Sequence, residues 1–254
     1  MILNASVSGE GKPLVLLHGL FGAARNLGVL SRALARQARV IALDLRNHGE
    51  SPHGAAMDYP TLAADVAETL AAMGIARADV AGHSMGGKTA MALALARPEM
   101  VARLAVLDVA PIPYHHDYGD YVRAMQAIDL RPGLTRAAAE QALAPTVKAA
   151  PMRAFLLNNL VLGEHPRWRV GLAEIAAAMP EILGWADPPG AKPFTGPALF
   201  LSGAESDYVG PEAEAPIRRL FPNAVLRRVA GAAHWLHADK PAEVIASLQE
   251  FFAP

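Results

Sequence analysis

The chain has 254 residues, 52% of them hydrophobic and 19% charged, with a formal net charge of −1 and no cysteine. That balance suits one large globular domain, or a domain carrying a substantial insertion, and argues against a basic nucleic-acid-binding surface. Without cysteine there is no disulfide framework, no thiolate catalysis and no thiolate metal site. No apolar run reaches membrane-spanning length and the start lacks the form of a secretory signal, so the expectation is a cytoplasmic protein with no membrane insertion.

Residues 2–8 predict a short strand, with Gly9-Glu10-Gly11 as its turn. Pro13–Leu17 is a continuous apolar run, the pattern of a strand covered on both faces, and it ends in the loop His18-Gly19-Leu20-Phe21-Gly22. Asn26 is a candidate N-cap for a helix carrying Leu27, Leu30 and Leu34. Arg39–Leu43 predicts the next strand and runs into the polar loop Asp44–Ser51. Leu62, Val66, Leu70 and Met73 give an amphipathic helix closed by Gly74. Ala78–Ala81 then reads as a buried strand, Met85–Ala96 as a helix and Arg103–Asp108 as a further strand. Such alternation predicts right-handed crossovers and a mostly parallel sheet.

The rhythm breaks at Ile112. From there to Pro193 no apolar strand is expected, and Leu156-Leu157, Leu160-Val161, Ile175, Met179 and Ile182-Leu183 read as faces of short helices. This divides the chain into a core of residues 1–111, a helical cap of 112–193 over the C-terminal edge of the sheet, and a returning core of 194–254. Strands resume at Ala198–Ser202 and Val225–Val229, with a helix near Pro211–Leu220 between them. A last helix carries Val244, Ile245, Leu248, Phe251 and Phe252.

Between a predicted strand and a predicted helix lies Gly82-His83-Ser84-Met85-Gly86, a G-x-S-x-G match that sets a serine on a sharp turn. Ser84 is the candidate nucleophile. A serine hydroxyl needs a base, and the base needs a carboxylate to hold its tautomer. The candidate base is His234, in a loop after the last strand, with His237 its local rival. Asp108, at the end of a strand, is the favoured acid, and Asp207, in the loop after the next strand, is the alternative. Backbone amides of Leu20 and Met85 are the candidate oxyanion donors. Phe21 and Trp235 are candidate substrate-binding residues lining an acyl pocket. His115-His116 with Asp117 reads as a solvated loop, since adjacent residues rarely converge on one ion, and no metal is expected.

Taken together, HGLFG, DLRNHGESPH, GHSMGGK and GAAHW resemble the α/β-hydrolase superfamily, and more narrowly the YbfF-type bacterial esterases and their mitochondrial abhydrolase relatives. The closer signature is Asp44–His53, Lys88, and Leu107–Pro111 followed by Tyr114. The resemblance implies an α/β-hydrolase fold, with helices on both faces of the sheet and a helical cap inserted after the sixth strand. It implies a serine esterase without metal or organic cofactor, acting on small-molecule acyl esters and thioesters. In that family the stretch matching Ser202–Val209 carries Gly-x-Ser-x-Tyr, which Ser206 and Tyr208 fit, and this favours Asp108 as the acid. Carbon–carbon bond hydrolysis, perhydrolysis and lactone opening use the same framework. A ligand-binding module on the hydrolase scaffold is the reading from outside enzymology.

Overall fold

The structure, a computed structural model, describes residues 1–115 and 118–253. The first half runs β1 (Ala5–Ser8), β2 (Pro13–Leu17), α1 (Gly28–Leu34), β3 (Arg39–Leu43), α2 (Tyr59–Ala72), β4 (Ala78–His83), α3 (Met85–Ala96) and β5 (Val101–Leu107). The segment that follows holds α4 (Gly119–Gln126), α5 (Arg136–Leu143), α6 (Ala150–Leu156), β6 (Leu160–Val161), β7 (Arg167–Trp168), α7 (Leu172–Ala177) and α8 (Met179–Leu183). The chain closes with β8 (Ala198–Gly203), α9 (Glu214–Leu220), β9 (Ala224–Val229), α10 (Leu236–Asp239) and α11 (Pro241–Phe251).

Seven strands form one sheet in the order β1-β3-β2-β4-β5-β8-β9. The β1–β3 pair is antiparallel and every other pair is parallel. Alternate strand residues feed two cores. Val15, Leu17, Ile41, Leu43, Leu104 and Val106 pack under α2 and α3, whereas Leu14, Leu16, Val40, Ala42, Ala105 and Leu107 pack under α1 and α11. Both faces are covered, which is why these strands read as unbroken apolar runs rather than alternating ones. Each fully buried leucine contributes about 1.5–3 kcal/mol of transfer free energy.

The structure corrects the sequence expectations in four places. The inserted segment leaves the sheet after β5, the fifth strand in chain order, and not after a sixth, because only β1 precedes the parallel run on the N-terminal side. Leu160-Val161 is not a helix face but one arm of a two-stranded ribbon with β7, so the insertion is not wholly helical. Asn26 does not cap α1; its Oδ1 accepts the Ala23 N–H (2.8 Å) within the 3₁₀ turn Ala24–Leu27 that precedes the helix. The elbow strand reaches His83, two residues further than its apolar letters suggest. Gly74 does close α2, with φ of +71°. No helix among the described residues is long and apolar enough to cross a membrane.

Candidate active site

β4 and β5 are in parallel register with His83 opposite Leu107, so the next residue along each strand, Ser84 and Asp108, leaves the sheet side by side. Both turn sharply. Ser84 has φ 53° and ψ −121°, and Asp108 has φ 52°. Left-handed backbone in non-glycine residues is costly and persists where surrounding structure enforces it. The enforcing bonds are Ser84 N–H to the Leu107 carbonyl (3.0 Å) and Asp108 N–H to the Leu201 carbonyl (2.9 Å). Glycine flanks the serine because there is no room for more: a Cβ on Gly86 would lie 2.4 Å from the Leu17 carbonyl oxygen.

His234 arrives from the loop after β9. Its Nε2 lies 3.0 Å from Ser84 Oγ and its Nδ1 lies 2.8 Å from Asp108 Oδ2. Asp108 is 1% exposed, and its carboxylate also accepts the Gly203 N–H (2.8 Å) and the Ser206 hydroxyl (2.5 Å). The structure therefore brings together Ser84, His234 and Asp108. Asp207 lies exposed and makes no bond to His234. His237 packs against the ring of His83, and burial pulls its pKa down to about 4, leaving it neutral and off the Ser84 hydroxyl.

Three neighbours hold His234 in place. The Tyr208 ring stacks on it at 3.6 Å between centroids and 14° between planes. His83 Nε2–H donates to the His234 carbonyl (2.8 Å), and burial holds His83 neutral by pushing its pKa well below the ordinary range. Ser206 steadies the carboxylate from behind. Sequence reasoning placed Ser206 and Tyr208 in a family pattern without a task, and His83 only as the variable letter of the elbow motif.

The loop His18–Gly22 passes close above the serine: a Cβ on Gly19 would stand 3.2 Å from Ser84 Cβ. Gly22 N–H closes a turn on the Gly19 carbonyl (2.9 Å), with Phe21 at φ 60°. The Phe21 N–H donates to His48 Nε2 (3.1 Å), and its carbonyl accepts from Asn159 Nδ2 (2.7 Å), a residue of the insertion. His18 accepts the Leu45 N–H at Nε2 (2.9 Å) and donates Nδ1–H to the Gly19 carbonyl (2.8 Å). Burial pulls His18 below its ordinary pKa and His48 down to about 3, so both brace the loop as neutral rings. Leu20 of this loop lines the space at Ser84, and Met85 is the first residue of α3, where backbone N–H groups have no partner within the helix. Within the Asp44–Ser51 stretch, Asp44 accepts the N–H groups of Ala24 (2.7 Å), just past this loop, and Glu50 (3.0 Å).

Two spaces meet at Ser84. A cavity of about 300 Å³ is lined by His234, Phe21, Leu27, Phe155 and Trp235 and opens to solvent. On the other side a chamber of about 30 Å³ is lined by Met85, Lys88, Tyr114 and Ile182. Lys88 is 1% exposed, and its ammonium donates to the carbonyls of Leu183 (3.0 Å) and Gly184 (2.7 Å) at the end of α8. It also sits 4.5 Å from the Tyr114 ring centroid, and burial draws its pKa down to about 7. Among the described residues no group of His, Asp or Glu is arranged to hold a metal ion; His116 and Asp117 of the loop considered above lie outside those residues.

Fold and site together define an α/β hydrolase, with Ser84 on the sharp turn between β4 and α3. The alpha/beta hydrolase fold family matches residues 12–241, and the chain belongs to it. It is 43% identical over 253 residues to an sn-1-specific diacylglycerol lipase ABHD11 of Xenopus tropicalis, covering 96% of this chain and 79% of that one. It is 37% identical over 245 residues to esterase YbfF of Escherichia coli, covering 95% and 93%. A solved esterase from a marine microorganism superposes with a TM-score of 0.95 at 34% identity, covering 99% of each chain. The chain is a carboxylic ester hydrolase.

Proposed function

We propose that the protein hydrolyses small-molecule carboxylic esters, and acyl thioesters by the same route, through a Ser84–His234–Asp108 triad and an acyl-enzyme. His234 Nε2 takes the Ser84 proton as Oγ attacks the acyl carbonyl. Asp108 holds Nδ1–H toward itself and stabilises the imidazolium that forms. The Leu20 and Met85 amides donate to the developing oxyanion. His234 then protonates the leaving oxygen or sulfur, and water attacks the acyl-enzyme with His234 again as base. Residues 112–193 act as the cap that shapes the substrate space, and Phe21 and Trp235 line the pocket that takes the acyl chain.

The observation that carries this reading is the unbroken row of 3.0 and 2.8 Å contacts from Ser84 through His234 to Asp108. The decisive experiment is hydrolysis of p-nitrophenyl esters and acyl-CoAs from two to sixteen carbons, together with fluorophosphonate labelling, for wild type and Ser84→Ala. Turnover and labelling that vanish together in the variant support the reading. Folded wild type that neither labels nor hydrolyses either series overturns it, and turnover of esters alone removes the thioester half.

A further inference from the structure

Lys88 lies on α3, one helical turn past Ser84, and its backbone N–H donates to the Ser84 carbonyl (3.0 Å). Its side chain borders the same small space as Ser84 and as Leu20 and Met85, whose amides are the proposed oxyanion donors. The ammonium is held in place by the Leu183 and Gly184 carbonyls and by the face of the Tyr114 ring. What it lacks is an anion. Among the described residues no carboxylate pairs with it, and burial is the cause of the fall in its pKa. The titratable side chains around the space are phenols: Tyr59 of α2, Tyr114 after β5, Tyr118 at the start of α4 and Tyr208 after β8. Burial raises the pKa of each, so all four stay neutral. His234 stacks on Tyr208, and Asp108 is engaged by His234, Ser206 and the Gly203 amide.

An unpaired buried charge is costly, and such groups cluster where a protein uses them. On the proposed route a negative charge does arise beside Lys88, but only during the reaction. We infer that Lys88 supplies a fixed positive charge whose partner is the oxyanion of the tetrahedral intermediate, so that its burial is compensated in the transition state and not in the resting enzyme. This rests on the proposed roles of Ser84, Leu20 and Met85. An interaction made in the transition state and absent from the ground state accelerates the chemical step. No contact is required: the amides bind the oxyanion, and the ammonium adds its field, which water screens little at a buried site. With a pKa of about 7, the charge is present at lower pH and is lost as pH rises through that value. The enzyme should accordingly lose kcat on the alkaline side.

The rival role is mechanical, with Lys88 merely tying α8 to α3. Three variants separate the two. Lys88→Gln keeps an N–H donor for the carbonyls without the charge, Lys88→Met removes both, and Lys88→Arg keeps the charge. The expected result on a p-nitrophenyl ester is a fall in kcat of about tenfold or more in the Gln and Met variants, with KM little changed and partial recovery in Lys88→Arg. Wild type should lose kcat between about pH 7 and 9, and the Gln and Met variants should not. A Lys88→Gln enzyme with wild-type melting temperature and wild-type kcat overturns the inference, as does a loss that is equal at every pH. Should the variants not fold, wild type with a trifluoromethyl ketone decides. Ser84 Oγ adds to the ketone carbon, the serine proton passes to His234, and the ketone oxygen becomes the anion. Carbon-13 NMR of the lysine ε-carbons should then show a higher pKa for Lys88 in the adduct than in the free enzyme; an unchanged value overturns the inference and leaves the triad standing. Absence of both adduct and fluorophosphonate labelling is instead the failure of the triad reading, and this inference falls with it.

Discussion

The Ser206 hydroxyl donates to Oδ2 of Asp108, the same carboxylate oxygen that faces His234 Nδ1. The acid thus shares one oxygen between the imidazole and a hydroxyl. Ser206→Ala leaves that oxygen with a single protein donor and more negative charge directed at the imidazole. The expected outcome is a drop in kcat of roughly 10–150-fold, from the loss of one hydrogen bond to a charged group.

Asp108→Asn should lower kcat by about four orders of magnitude, since an amide cannot hold the productive imidazole tautomer. Asp207→Asn should stay within a few-fold of wild type, because its exposed carboxylate does not reach His234. Steady-state kinetics on one p-nitrophenyl ester measures both. A severe Asp207→Asn effect beside a mild Asp108→Asn effect would reverse the assignment.

Asn159→Ala removes the insertion's hold on the Phe21 carbonyl, a buried bond of 2.7 Å. The proposed oxyanion donor, the Leu20 amide, would then lose its fixed place in the loop, and donors aimed at an oxyanion act on the transition state rather than on substrate binding. The expected signature is kcat reduced about tenfold with KM little changed, read from full Michaelis curves.

Acid should destabilise the fold through its buried histidines. His48, with a pKa of about 3, and His237, at about 4, are held neutral by burial, and His18 and His83 are shifted the same way. In the unfolded chain these rings take up protons near pH 6.5. The stability they permit is therefore complete above pH 6.5 and is lost as pH falls from there toward the folded values. Each ring contributes a slope of about 1.4 kcal/mol per pH unit in that window. Thermal melts from pH 7.5 to 4 should show a steep decline below pH 6.5, and His48→Gln should flatten it.

Much of this protein was legible in its letters. Runs such as Pro13–Leu17 and Arg39–Leu43 announce strands buried on both faces, and the elbow motif and GAAHW loop pick out Ser84 and His234. Asp108 could be favoured because it ends the strand before the insertion and because Ser206 and Tyr208 fit the pattern of the resembling family. The remainder depends on distant convergence. The bond of His83 to the His234 carbonyl joins residues 151 apart, and that of Lys88 to Leu183 joins residues 95 apart. Neither leaves a periodic trace. The ribbon of β6 and β7 is two residues long on each side, too short to display an alternation. The division of space at Ser84 comes from how the insertion lies over the sheet, which no local pattern encodes.

Ser84, Asp108 and His234 all lie outside the inserted segment, which meets the region around them through hydrogen bonds and ring contacts, among them Tyr114 to the Tyr208 carbonyl and Phe155 against Trp235. Asn159 reaches the Phe21 carbonyl, and the carbonyls of Leu183 and Gly184 receive Lys88. In the proposed reading, reactivity and substrate choice are therefore written in separate stretches of the gene, and a foreign segment grafted between β5 and β8 has to reproduce these contacts, the amide for Phe21 and the two carbonyls for Lys88 among them.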